Sequence, residues 1–143
     1  EHEQRAQVAM NRAKVVEATQ ASHDAIMLQP VPGLPVADCL RVAVFACVAA
    51  AAPELAQHYR NLLQAQPEAQ QPAPPNLAAL QHFAATLITD PRSGDRAAIA
   101  ALKSAGLNDA AIVAVAQLVA FLAYQTRVVA GLKALRLSRE VAP

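Results

Sequence analysis

Residues 36–60, VADCLRVAVFACVAAAAPELAQHYR, constrain the fold more than any other stretch of the chain. Apolar residues crowd positions 36–52 without the strict alternation of a half-buried strand. Leu40, Val44, Cys47, Val48 and Ala51 make one helical stripe, and Val42, Phe45 and Ala49 a second. The segment reads as a helix covered on more than one side, with Asp38 as its N-cap. Pro53 cannot continue that helix, but it fits the first turn of a new one, where its missing N–H costs nothing. Glu54 then sits at the positive end of the new helix, and His58 follows one turn later.

The rest of the chain follows the same pattern. Residues 5–29 read as a first helix with Ala18, Ala21, Ala25 and Leu28 on one face. Pro30, Pro32, Gly33 and Pro35 make a connection that cannot be helical. Residues 66–75, QPEAQQPAPP, read as an exposed, extended connector. Neither side of it is long enough to make a good core alone, so residues 1–143 are expected to form a single domain. Asn76 is placed as the cap of a helix reaching Thr89, with Leu77, Leu80, Ala84, Leu87 and Ile88 inside. The DPRSGD turn follows; Asp95 caps a short helix over 96–105, and Gly106 is its C′ residue. Asn108 or Asp109 caps the last helix, expected to reach Leu135. Its seam is Val115, Leu118, Leu122, Val129 and Leu132, flanked by Ile112, Val119 and Phe121. Lys133, Arg136 and Arg139 suit its negative end.

This pattern predicts an all-α domain of about six helices. Alanine supplies much of the 55% hydrophobic content, and aromatics are only 3%, which favours closely packed helices. The apolar run over 110–124 is broken by Gln117 and ends at Gln125, Thr126 and Arg127, so it reads as a core helix and not a membrane span. A net charge of +1, no basic block and few aromatic platforms argue against nucleic acid. Two cysteines and no secretory segment at the start point to a reducing cytoplasm. The chain begins with Glu1, and further sequence is expected before it.

Few residues carry chemistry. Glu54 and His58 lie at i, i+4 and share a helix face. A carboxylate in that position fixes the imidazole tautomer and makes a general base; the plainer reading is an ion pair that only supports the helix. Cys39 and Cys47 are eight residues apart, a helical rise of about 12 Å, too far for a disulfide. They read as small buried residues, or Cys39 as a single thiol acidified by the helix start. His23–Asp24, His58 and His82 fall on three different helices with no metal-ligand spacing, so no metal or cofactor is expected. A pocket is expected at the Pro53 junction, lined by His58, Glu54 and Gln117, Phe121 or Tyr124 of the last helix. Gln117, Gln125 and Arg127 either line that pocket or bond across a subunit seam.

Residues 86–135, TLITDPRSGDRAAIAALKSAGLNDAAIVAVAQLVAFLAYQTRVVAGLKAL, carry a family resemblance. The short helix, the A-G-L-N-D turn and the long helix resemble the C-terminal half of peroxidase-related members of the alkylhydroperoxidase D (AhpD) and carboxymuconolactone decarboxylase superfamily. Redox-active members resemble E-x11-C-x2-C-x3-H. Laid on His58, that pattern falls on Ala51 and Glu54 for the cysteines and on Cys39 for the glutamate, so only His58 matches. The resemblance implies an AhpD-like fold and a small organic molecule in an apolar pocket, with His58 as general acid or base and no thiol redox chemistry. It also implies a homo-oligomer, a trimer or hexamer, with part of the 109–135 helix in its interface. A second reading of the same resemblance is a non-catalytic member kept as an oligomer subunit or small-ligand binder.

Overall fold

A computed structural model describes residues 2–141, and the side chains of residues 12–138 and 140 among them. Among the described residues it has six α-helices, two short 3-10 turns and no strand: α1 (His2–Met27), α2 (Val36–Ala49), α3 (Pro53–Gln64), α4 (Leu77–Thr89), α5 (Arg96–Ser104) and α6 (Asp109–Val141). The expectation of an all-α, multi-helix domain is met. The side chain of Arg139, expected to suit the end of α6, lies outside the described residues.

Helix α2 is the hub, packing on α1, α3, α4 and α6. Its inner face buries Cys39, Leu40, Val42, Ala43, Ala46 and Cys47. Against it lie Met27, Tyr59, Leu80, Val115, Leu118 and Leu122, all with negligible exposure. Each large apolar side chain buried this way contributes about 1.5–3 kcal/mol. The core faces only one broad side of α2, however. Val48 and Ala51 of the first expected stripe, and Phe45 and Ala49 of the second, are exposed, while Val42 of the second is buried.

Helix α1 also turns differently from the expectation. Ala18, Ala21, Ala25 and Leu28 face outward, and the covered face is Thr19, His23, Ile26 and Met27. Burying alanine gains little, so the Met27 and Ile26 side chains decide which way α1 faces. The following loop is tied to the other end of the chain. Asn108 accepts from the Ala111 N–H at 2.8 Å, capping α6, and its Nδ2 donates to the Pro32 carbonyl at 3.0 Å. Gly33 takes φ +81°, and a Cβ there would stand 2.6 Å from Asn108 Nδ2, so both backbone and space require glycine.

Asp38 does not cap α2, which begins after Pro35. Its buried carboxylate instead accepts from Arg41 Nη1 at 2.6 Å, and Arg41 Nη2 donates to the carbonyls of Glu68, Ala69 and Gln71. The Pro/Gln-rich segment is therefore pinned to α2 by one guanidinium, with a 3-10 turn at Pro67–Gln70, and is not a free linker. Asp95 caps α5 through the Ala98 N–H at 3.0 Å, and Gly106 takes φ +85° just past its end, both as expected.

Helix α6 outlasts its expected end. Residues 109–138 are long and apolar enough to cross a membrane by length and composition, with 33% of the apolar window buried inside the chain. Its first half is core. From 131 to 138 every side chain is exposed, including Leu132, Leu135 and Leu137.

Candidate acid–base site

The corner between α2 and α3 fixes the position of His58. Ala51 adopts φ +54°, and the N–H groups of Ala51 and Ala52 return to the carbonyls of Val48 and Cys47. This is a Schellman cap with alanine in the left-handed position that usually takes glycine. Pro53 then starts α3, as the sequence predicts. Tyr59, wholly buried, sets the rotation of α3, and its hydroxyl donates to Gln125 Oε1 on α6 at 2.5 Å. One residue away, His58 is left at the edge of α3, facing α1.

There it meets His23. The two Nε2 atoms stand 3.4 Å apart, with ring centroids at 5.5 Å. His23 is only 7% exposed; its ring stacks on Tyr59 at 5.9 Å and tilts against Phe121 at 6.3 Å. On its other side, His23 Nδ1 lies 2.9 Å from Asp24 Oδ1, which also accepts from Gln20 Nε2 at 2.8 Å. The His23 hydrogen bond, with that of Gln20, holds the Asp24 carboxyl below its usual range. An ionised carboxylate only accepts, so His23 carries its proton on Nδ1 and presents the lone pair of Nε2. His58 then donates through Nε2 and keeps the lone pair of Nδ1. Burial of the covered part of the His58 ring, and then the neighbouring His23, lowers its pKa below the ordinary histidine value. The arrangement is a carboxylate–imidazole–imidazole chain with a neutral imidazole at its accessible end.

The expected Glu54–His58 pair is not formed. Glu54 instead receives Lys133 of α6 on both carboxylate oxygens, and that hydrogen bond lowers its pKa. A cleft of about 160 Å³ does open beside Pro53, lined by Ala51, Glu54, Thr126, Val129 and Lys133 among others. His58, Gln117, Phe121 and Tyr124 do not line it, which corrects that part of the expected pocket. Gln117 borders a recess of about 40 Å³ next to Cys39. Gln125 is taken by Tyr59, and Arg127 donates to the Ala123 carbonyl of its own helix.

Cys39 and Cys47 are buried free thiols. Burial pushes Cys39 up to about 12 and Cys47 up to about 11, the reverse of a thiol acidified by a helix start. His82 lines a separate apolar cleft of about 280 Å³ between α4 and α5, with Phe83, Thr86, Ser93 and Leu102. Among the described residues, no three His, Cys, Asp or Glu side chains are grouped to hold a metal.

The sequence pointed to His58 but paired it with the wrong acid. In the sequence, His23 and Asp24 stand out only as potential ligands without metal-binding spacing. The signal that finds them is Thr19, His23 and Met27 at four-residue spacing, a face half-hidden by the alanine stripe beside it. Comparison of the chain with family models, with curated proteins and with solved structures finds no match.

Proposed function

We propose that the chain is an AhpD/carboxymuconolactone decarboxylase-like helical domain that performs acid–base chemistry on a small organic substrate at His58. The observation that carries this reading is the Asp24–His23–His58 chain. His58 Nδ1 takes a proton from a substrate C–H or O–H. The imidazolium so formed donates through Nε2 to neutral His23, which Asp24 holds in the accepting tautomer, and the proton later returns to the product or leaving group. The 3.4 Å separation is long for a finished hydrogen bond, and such contacts tighten when charge develops on the base. Thiol redox chemistry is not part of the proposal, because both thiols are buried and held protonated.

The test is a panel of small keto acids and lactones, followed by carbon dioxide release or ring opening with chelator-treated protein. Turnover is expected to be lost in His58→Ala, weakened in Asp24→Asn and kept in Cys39→Ser, with helicity unchanged. Turnover retained in His58→Ala overturns the assignment.

A second reading, a non-catalytic oligomer subunit, draws on a different observation. Tyr124, Val128, Leu132 and Leu135 follow helical spacing along α6 and are 39–61% exposed. An apolar stripe of this length usually marks an interface. No turnover of any substrate, together with an assembled species in solution, favours this reading.

A further inference from the structure

The His23–His58 contact has a geometry that acid–base chemistry alone does not require. The two Nε2 atoms stand 3.4 Å apart, a long hydrogen-bond contact. Two imidazole nitrogens bound to one tetrahedral zinc-type ion, each at about 2.0–2.1 Å, are separated by about 3.3–3.4 Å. The ring centroids, at 5.5 Å, place the two Nε2 atoms face to face. His23 also has the outer partner that metal-binding histidines use: Nδ1 is held by Asp24, which fixes the tautomer and leaves the Nε2 lone pair outward. Its ring is clamped by Tyr59 and Phe121, so this ligand is preorganised. His58 is exposed, so water can reach the remaining positions of an ion.

We infer that the facing Nε2 atoms of His23 and His58 form a binding site for one zinc-type divalent cation, with Asp24 orienting His23. No third His, Cys, Asp or Glu joins them among the described residues, so water completes the shell. Affinity in the micromolar range is the expectation, because zinc sites with three or four protein ligands are the tighter class. The ion uses the same Nε2 positions as the proton chain, so the two states exclude each other. A bound cation forces the His58 proton onto Nδ1 and removes the base. The site thus also provides for inhibition of the proposed chemistry by metal, but the binding itself does not depend on any catalysis.

The experiment is a titration of the chelator-stripped protein with Co2+ and Zn2+, read by Co2+ absorption and by calorimetry. Wild type is expected to bind one ion per chain with nitrogen ligation. His58→Ala, a surface change, is expected to lose about tenfold or more in affinity, and Asp24→Asn a similar factor through the orienting bond. His82→Ala is the control and leaves binding unchanged. Circular dichroism confirms that each variant is folded. No binding by wild type up to millimolar metal overturns the inference, as does His58→Ala binding unchanged. These outcomes are separable from the catalytic reading, which is assayed in the presence of chelator.

Discussion

Replacing Ala51 with glycine should stabilise this protein, against the usual sign of an alanine-to-glycine change. Ala51 holds φ +54° in the cap that turns α2 into α3. For an L-residue that conformation costs about 1–2 kcal/mol, which glycine does not bear. Glycine also makes the unfolded chain freer, which costs about 0.4–1 kcal/mol. Ala51 is exposed, so its methyl contributes little packing. The net gain is about 0–1.6 kcal/mol with a midpoint of about 0.8 kcal/mol, the midpoint giving a rise in Tm of about 2–3 °C for a chain of this size. Thermal unfolding followed by helical circular dichroism measures it. Ala50→Gly is the internal control: Ala50 has φ −80°, so glycine there brings only the entropic cost and should lower Tm. If Ala51→Gly melts at or below wild type, the left-handed corner is wrong, and with it the placement of His58.

The thiols should resist labelling. In the folded protein at about pH 8, iodoacetamide should modify Cys39 and Cys47 far more slowly than in denaturant, and equal rates would contradict their burial. The same groups give a pH dependence. Burial raises both thiols from 9.0, to about 12 for Cys39 and about 11 for Cys47, and raises Tyr59 in the same direction. The folded state therefore keeps protons that the unfolded chain releases, so stability is intact below pH 9 and falls as pH rises above it. Melts that do not change between neutral pH and about pH 10.5 would refute this. Arg41→Ala leaves Asp38 buried without its partner and frees the 66–75 segment. It should cost about 2–4 kcal/mol and open that segment to limited proteolysis; an unchanged cleavage pattern would refute the clamp. Light scattering should find a homo-oligomer that Leu132→Lys weakens, and a monomeric wild type at micromolar concentration would reject the interface on α6.

The helices were legible because proline, glycine and capping residues mark their ends. Pro53, Asn76, Asp95, Gly106 and Asn108 all stand where the sequence puts them, although Asn76 makes no side-chain cap bond. Faces were harder to read. Alanine and valine fill nine of the 26 positions of α1 and eight of the 14 of α2, spread around each helix, so several stripes satisfy the helical period equally well. Long-range packing makes the choice, through Met27, Ile26 and Tyr59. The site failed for a related reason. Spacing placed Glu54 and His58 on one face, but Lys133, 79 residues away in sequence, takes Glu54, and His23, 35 residues away, takes His58. Local periodicity carries no information about either partner. Arg41 shows the same limit, since a single arginine three residues after an aspartate does not reveal that it also holds three carbonyls of a distant segment.

The tautomers of the two imidazoles test the proton chain most directly. A long-range 1H–15N spectrum of histidine-labelled protein, with chelator present at about pH 8, reports which nitrogen of each ring carries the proton. The Asp24–His23–His58 chain requires opposite states: His23 protonated on Nδ1 and His58 protonated on Nε2. A His23 ring protonated on Nε2, or a His58 ring averaging between tautomers as free imidazole does, would contradict it.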